Sequence, residues 1–274
     1  MPYFETDLIK FHYYQYGSGK EIMLAFHGFG MRGTQFHVLE EAFAEKYTIY
    51  SFDLLFHGNT EVKDTSLNAI RTGLKSVDFG TQIENFLNVK GISEVSLLSY
   101  SIGSRFALAL IEAIPERIYK SFFIAPDGIQ PNRLLSLGER NPLINILFYK
   151  LVYSPRTVKF CLNQLYKLKY IDASLHRILD FEFGTVETRL TCYNTITYFN
   201  KLRFQKKKLA ELINNHQIDC HFYFGKKDKL FPASIGLDFG KLLTRSQVHV
   251  FDEGHELINS QLNQYLKEQF KSND

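Results

Sequence analysis

The chain has 274 residues, and its apolar positions follow two alternating periods. Short apolar runs between turn residues predict strands, whereas apolar residues that repeat every three or four positions predict helices. The predicted strands cover residues 8–16, 22–26, 47–52, 95–98, 119–125, 221–224 and 247–251. The predicted helices outside the middle of the chain cover residues 34–45, 66–88, 102–113, 233–243 and 256–270. The first two strands flank a turn at 17–20, and this arrangement predicts an N-terminal hairpin.

The alternation of strands and helices stops between residues 129 and 215. This stretch predicts only helices and loops, and it is rich in phenylalanine and tyrosine. Strand–helix alternation on both sides of a helical block is typical of an α/β protein with an insertion. We therefore predict a mostly parallel central sheet with helices on both faces, formed by residues 1–127 and 216–274, and an inserted all-helical cap at 128–215. The cap aromatics form either the cap's own core or the lining of an apolar pocket.

The composition is that of a globular protein, with 45% hydrophobic residues and a net charge of +3. Segment 128–219 holds 14 Lys or Arg against 7 Asp or Glu, which suits either a solvated helical face or an anionic substrate or surface. Three widely spaced cysteines, Cys161, Cys192 and Cys220, fit neither a disulfide framework nor a metal site, so they predict a cytoplasmic protein.

Several classes of protein are disfavoured by the same sequence. No apolar run has the length of a membrane span, and the first residues do not resemble a signal peptide. Phosphate-binding loops, metal-ligand clusters and nucleic-acid motifs are not evident. We therefore predict a small-molecule substrate, with no cofactor, no metal and no nucleic-acid partner, and we make no prediction of the oligomeric state.

The most informative segment is Ser99-Tyr100-Ser101-Ile102-Gly103, which lies between a predicted strand and a predicted helix. Small residues two positions before and after a serine suit a sharp strand-to-helix turn, because larger side chains would collide with neighbouring backbone. Such a turn would present the Ser101 hydroxyl beside the amide of Ile102. The usual pattern has glycine where Ser99 stands, so a serine-rich helix N-cap is the alternative interpretation.

An acid and a histidine follow two later predicted strands. Because the carboxyl ends of parallel strands meet at one edge of a sheet, we expect both side chains to lie near Ser101. A serine hydroxyl needs a base to remove its proton, and a histidine base needs a carboxylate on its second nitrogen. We predict His255 as the base and Asp228 as the acid, with Asp127 as the rival acid.

The loops after the first strands resemble those of a known family. The run His27-Gly28-Phe29-Gly30 is similar to the oxyanion loop of the α/β-hydrolase fold superfamily. Residues 53–58 resemble its D-x-P-G-x-G loop more loosely, with Leu55 and Phe56 in place of proline and glycine. We expect His27, Gly28 and Gly30 to support the oxyanion loop, and Asp53 to accept hydrogen bonds from backbone amides.

The resemblance extends over essentially the whole chain. Ser101 falls on the nucleophile elbow of the superfamily, with Gly103 as the second glycine of the motif. Asp228 falls on the acid and His255 on the base, and the helical block 128–215 lies where the superfamily has its cap.

The resemblance implies a serine hydrolase that cleaves a carboxylic ester or thioester of a small, partly apolar substrate. The reaction would pass through a Ser-His-Asp triad and an acyl-enzyme, with the backbone N–H groups of Phe29 and Ile102 as the oxyanion hole. The alternative is a C–C bond hydrolase or a small-molecule synthase or lyase that uses the same triad, which Arg105 after the elbow favours. A noncatalytic ligand-binding protein on the same fold is the second alternative.

Overall fold

The computed structural model describes residues 2–130, 142–171 and 173–271, with the backbone alone at 174, 175, 178 and 182. Its strands form one nine-stranded sheet. The strands are β1 (Tyr3–Glu5), β2 (Ile9–Tyr16), β3 (Glu21–Phe26), β4 (Tyr47–Phe52), β5 (Glu61–Val62), β6 (Val95–Tyr100), β7 (Ile118–Ile124), β8 (Asp219–Gly225) and β9 (Ser246–Phe251).

The sheet is mostly parallel, as predicted. The strand order is β1-β2-β4-β3-β6-β7-β8-β9, and β5 pairs with β2 outside this path. The pairings from β4 to β9 are parallel, and the three pairings that β2 makes are antiparallel. Every residue of β6 is buried, which is typical of a strand that is covered on both faces. Ser101 directly follows the carboxyl end of this strand.

Helices cover both faces of the sheet, which also confirms the prediction. The helices are α1 (Glu40–Phe43), α2 (Leu67–Thr72), α3 (Ser76–Lys90), α4 (Gly103–Ala113), α5 (Pro142–Val152), α6 (Pro155–Lys167), α7 (Ala173–Glu182), α8 (Val186–Tyr198), α9 (Lys206–Asn215), α10 (Ser234–Gly240) and α11 (Ser260–Lys271). On one face α4 packs against β3, β6 and β7 and against α3 and α9. On the other face α1 and α11 pack together over a core that includes Leu98, Phe122 and Leu262. No helix within the described ranges has the length and apolar character to cross a membrane.

The predicted N-terminal hairpin is wrong. The two strands β2 and β3 do not pair, because β4 lies between them, antiparallel to β2 and parallel to β3. The turn that joins them wraps around the start of β4: Gly17 has a φ of +74°, and a Cβ there would lie 2.2 Å from the carbonyl oxygen of Tyr47. Local sequence signals of a turn cannot reveal that a third strand will be inserted between its arms.

Two predicted helices have different forms in the structure. The predicted helix 66–88 is divided into α2 and α3, because Gly73 ends α2 with a φ of +77°. The predicted helix 34–45 is a 3₁₀ segment, Gly33–Leu39, followed by the single turn of α1.

The chain divides into two compact units with boundaries that differ from the expected ones. The first contains Met1–Lys63, Lys75–Gln130 and Leu202–Asp274, and the second contains Asp64–Leu74 and Pro131–Lys201. Helix α9, which we expected within the cap at 128–215, belongs to the first unit, since its residues Leu209, Ala210 and Ile213 are buried and it packs on α4. Residues 131–141 and 172 of the expected cap lie outside the described residues.

The second unit has a polar centre. The Asn145 side chain of α5 is buried, donates to the Thr197 hydroxyl at 3.0 Å and accepts from the Tyr193 hydroxyl at 2.8 Å. The rings of Phe148 and Tyr149 pack against Tyr193, with centroid distances of 5.4 and 5.0 Å. Some cap aromatics therefore form a core of this unit.

We predict that Gly80→Ala destabilises the protein by about 1–3 kcal/mol, although alanine is the better helix former. Gly80 lies in α3, where a Cβ would be 2.4 Å from the Cβ of Ala113 in α4, so the two helices would have to separate. Urea denaturation measures the change in the free energy of unfolding. The control Thr81→Ala, at an exposed position in the same helix, should change it by less than about 0.5 kcal/mol. Equal effects of the two variants would contradict this close packing.

Candidate active site

The turn between β6 and α4 holds Ser101 in a conformation that few side chains adopt. Its φ is +50°, in the left-handed region, and its amide donates to the Ile124 carbonyl at 3.0 Å while its carbonyl accepts from the Asp127 amide at 3.1 Å. A Cβ on Gly103 would lie 2.1 Å from the Phe26 carbonyl oxygen, so only glycine fits there. The predicted sharp turn is therefore present, and the last residues of β3 and β7 hold it in place.

The serine that stands in place of the first glycine is accommodated without an unpaired hydroxyl. Ser99 and Ser104 are both fully buried, and their hydroxyl oxygens lie 3.1 Å apart. The Ser99 hydroxyl also lies 3.4 Å from the Phe122 carbonyl oxygen. Because each hydroxyl has a partner, burial of the pair does not carry the cost of an unsatisfied polar group.

The structure brings Ser101, His255 and Asp228 together. The Nε2 atom of His255 lies 3.0 Å from the Ser101 hydroxyl oxygen, and its Nδ1 atom lies 2.7 Å from Oδ2 of Asp228. A carboxylate only accepts hydrogen bonds, so Nδ1 carries a proton and Nε2 is the atom that can accept one from the serine. This arrangement is the one that removes the proton from a serine hydroxyl as the oxygen attacks an electrophile.

Asp228 is fixed by its own loop. Its side chain is 1% exposed, and its Oδ1 atom accepts from the amides of Leu230 at 2.8 Å and Phe231 at 3.1 Å. The second oxygen is thereby aimed at His255. A carboxylate fixed in this way can orient the imidazole ring through its Nδ1 atom.

The loop that carries His255 is anchored to the elbow. The Tyr100 hydroxyl donates to the His255 carbonyl at 3.1 Å, and the two rings lie 5.4 Å apart. The centroid of the Phe231 ring lies 5.5 Å from that of the His255 ring. A Cβ on Gly225 would be 2.0 Å from the Gly254 carbonyl oxygen, so the end of β8 must be glycine for this loop to approach. No spacing rule reveals these positioning contacts of Tyr100 from the sequence.

The loop after β3 is built around two glycines and a buried histidine. A Cβ on Gly28 would lie 2.6 Å from the Tyr100 ring, and Gly30 has a φ of +72°. His27 accepts from the Leu54 amide at Nε2, 2.9 Å away, and its Nδ1 lies 2.7 Å from the Gly28 carbonyl. Complete burial lowers the pKa of His27 well below its ordinary value, so the ring is neutral and can bridge the two loops.

Two backbone N–H groups near the serine are available as hydrogen-bond donors. Within the described part of the chain, neither Phe29 nor Ile102 donates its amide to a protein acceptor. Phe29 follows the histidine loop, and Ile102 precedes the first residue of α4. Unpaired amides at a helix N-terminus and in an adjoining loop suit the stabilisation of an oxyanion.

The rival acid, Asp127, has a different partner. Its Oδ2 atom accepts from Nε of Arg105 at 2.7 Å, and both side chains are buried. The pair lies behind the elbow, because Asp127 also donates its amide to the Ser101 carbonyl. Asp127 is thus engaged by Arg105, whereas the carboxylate that meets His255 is that of Asp228.

Asp53 organises its loops, as expected, and its partner His12 was not identified from sequence. Its oxygens accept from the amides of Gly33 at 2.8 Å and Asn59 at 2.9 Å and contact Nδ1 of His12 at 2.8 Å. Gly58 has a φ of +56° and lies so close to Asp53 that a Cβ would meet the carboxylate at 2.1 Å. Among the described residues, no group of three or more His, Cys, Asp or Glu side chains could hold a metal ion.

We predict that Asp127→Ala lowers the free energy of unfolding by about 3–5 kcal/mol, because it removes the carboxylate from a buried, hydrogen-bonded ion pair with Arg105. Urea denaturation measures the loss. The control Asp238→Ala removes the acid of the solvent-exposed pair with Lys241 and should change the free energy of unfolding far less. A loss for Asp127→Ala no larger than that of the control would show that the buried pair does not stabilise the elbow.

Comparisons with known proteins agree with this architecture. A family model described as the alpha/beta hydrolase fold matches residues 21–150. The dihydrolipoyllysine-residue acetyltransferase component of the acetoin cleaving system of Cupriavidus necator is 24% identical over 124 residues, which are 45% of this chain and 31% of that protein. The chain therefore spans about a third of the length of this curated relative.

Solved structures are similar over nearly the whole chain. An esterase from Thermogutta terrifontis has a TM-score of 0.70 at 14% identity and covers 96% of this chain and 94% of its own. A meta-cleavage product hydrolase from Pseudomonas fluorescens IP01 has a TM-score of 0.64 at 18% identity, with 97% and 96% covered. With the family match over residues 21–150, the strand order and the turn at Ser101, these similarities show that the chain has the alpha/beta hydrolase fold.

Proposed function

We propose that the protein is a serine hydrolase that cleaves a carboxylic ester or thioester through an acyl-enzyme. The observation that carries the proposal is the continuous hydrogen-bonded chain from Asp228 through His255 to Ser101, with distances of 2.7 and 3.0 Å. The strained turn at Ser101 supports it, because such a turn presents the hydroxyl at the edge of the sheet.

In the proposed first step the Ser101 oxygen attacks the carbonyl carbon, and Nε2 of His255 takes the hydroxyl proton. The carbonyl oxygen becomes an oxyanion, which the N–H groups of Phe29 and Ile102 stabilise. When the tetrahedral intermediate collapses, the C–O or C–S bond breaks and His255 gives the proton to the leaving alcohol or thiol. Asp228 stabilises the imidazolium throughout and keeps its own charge.

In the proposed second step water replaces the leaving group. His255 takes a proton from the water as its oxygen attacks the acyl carbon, and the same two amides hold the second oxyanion. The bond to Ser101 then breaks, its oxygen regains the proton from His255, and the carboxylic acid leaves. No group outside this chain is needed for the proton transfers, because one imidazole serves both steps.

The proposed substrate is small and partly apolar. The partial exposure of the Phe29 and Ile102 side chains and the contact of the Phe231 ring with His255 support this. The esterase from Thermogutta terrifontis shares only the fold with this chain, and it is consistent with an ester substrate.

A C–C bond hydrolase with the same three residues is the second candidate. The fold similarity to a meta-cleavage product hydrolase keeps it in view. The position of Arg105 after the elbow gives this alternative no further support, because the guanidinium is buried and paired with Asp127.

A fluorophosphonate probe tests the proposed nucleophile. We expect the probe to label the wild-type protein, because the serine oxygen is activated by its base, and we expect Ser101→Ala to abolish labelling. Ser93→Ala, at an exposed position before β6, is the control and should be labelled like wild type. Absence of labelling in folded wild-type protein would favour a noncatalytic binding protein.

The role of Asp228 is tested with p-nitrophenyl esters of increasing acyl length. We expect Asp228→Asn to lower kcat by about 10³–10⁴-fold, because the amide would favour the wrong tautomer of His255. Asp252→Asn, which alters an exposed acid paired with Lys227, should leave kcat unchanged. A protein that reacts with the probe yet hydrolyses none of the esters would favour the C–C bond alternative.

A further inference from the structure

Helices α5 and α6 and the residues that follow them expose large apolar side chains. In this α5–α6 segment, residues 142–171, the exposed fractions are 58% for Leu147, 63% for Phe160 and 65% for Leu168. Tyr153 and Tyr170 are exposed to 57% and 61%. Single exposed apolar residues are ordinary, but the presence of several large ones within one short segment favours a surface that contacts something other than water.

The same segment carries charge of one sign only. It contains five basic residues and no aspartate or glutamate, and all five are exposed: Lys150, Arg156, Lys159, Lys167 and Lys169. A solvated helical face usually mixes both signs. The charge pattern therefore favours contact of this segment with an anionic partner over simple exposure to solvent.

The apolar and basic residues share helix faces. In α6, Arg156 and Lys167 lie four residues before and seven after Phe160, so the three side chains are on one side of the helix. In α5, Leu147 and Lys150 are three residues apart and also share a face. Within α6, Leu162 is buried, so the helix packs through a different side from the one that carries Phe160.

We propose that the α5–α6 segment binds the surface of bilayers that contain anionic lipids. Apolar side chains such as Leu147 and Phe160 would enter the boundary of the acyl chains, and the long basic side chains would reach the lipid phosphates. A second copy of the chain fits less well, because it would bring two uniformly basic segments together. Neither helix has the length to span the bilayer, so the contact is one with the membrane surface.

This proposal does not depend on the proposed hydrolysis. The surface lies in the second unit, whereas Ser101, Asp228 and His255 lie in the first. The full-length Ser101→Ala protein can therefore be used for binding, so that lipids are not consumed and a failure of either proposal is distinguishable from a failure of the other.

Sedimentation with large unilamellar vesicles tests the contact. We expect the protein to sediment with vesicles of phosphatidylcholine that contain about 30% phosphatidylglycerol, and at least about tenfold less with vesicles of phosphatidylcholine alone. Added salt should weaken the binding, since the charges are exposed. Failure to sediment with the anionic vesicles, or equal binding to both compositions, would overturn the proposal.

Two pairs of variants separate the apolar and the charged contributions. Leu147→Ser with Phe160→Ser should reduce binding about tenfold or more, whereas the control Val89→Ser with Leu237→Ser, at exposed positions of α3 and α10, should not reduce it.

Lys159→Glu with Lys167→Glu should reduce binding at least about tenfold, and Lys207→Glu with Lys208→Glu in α9, which changes the net charge equally, should reduce it far less. Circular dichroism confirms that each variant folds. Equal losses in a pair and in its control would contradict the assigned surface.

A fluorophore on the exposed Cys161 would report contact of this surface with the bilayer directly. Cys161 is exposed and adjacent to Phe160, whereas Cys192 and Cys220 are buried. An environment-sensitive fluorophore on Cys161 should shift to shorter wavelength with anionic vesicles, because the position enters a less polar medium. Sedimentation without any shift would show that another surface binds. A concentration-dependent dimer that Leu147→Ser with Phe160→Ser dissociates would show instead that a second copy covers this face.

Discussion

The close approach of α4 to the end of β3 is the constraint on which the rest of the site depends. Gly103 lies so near the carbonyl groups of Phe26 and His27 that no side chain fits between them. The chain leaves β6 and enters α4 through a turn in which Ser101 takes a positive φ. That backbone cost is a few kcal/mol at most, and the hydrogen bonds of Ser101 to the β7 strand end and to Asp127 hold the turn against it.

The buried carboxylates and the buried histidine around this turn have different hydrogen-bond partners. Two carboxylates lie near the elbow, but their partners differ: Asp127 accepts from Arg105, whereas Asp228 accepts from two backbone amides and contacts His255. The neutral ring of His27 ties the loop after β3 to the loop after β4. These contacts fix loops that have no regular secondary structure, and fixed loops are what a preorganised site requires.

The second unit follows a different physical logic. Its centre is a network of Asn145, Tyr193 and Thr197 rather than an entirely apolar core, and large apolar side chains such as Phe160 face solvent. The aromatic richness of the sequence thus has two origins, a partly polar core and an exposed surface. Exposure of large apolar side chains to water is unfavourable in free energy, and contact of this surface with a less polar medium would remove that unfavourable term.

The sequence by itself determined the fold class, the order of the main elements and the residues to examine. The spacing of apolar residues and the length of each run identify strands and helices locally. The rule that parallel strands end at one edge of the sheet predicts that Ser101, Asp228 and His255 lie close together. Only the tertiary structure decided which of two acids meets the histidine, because a carboxylate's partner depends on side chains distant in sequence, as Arg105 shows for Asp127. It also decided the position of β4 between β2 and β3 and the contact of Tyr100 with the His255 carbonyl. Both are long-range packing events, and the local pattern of residues carries no information about them.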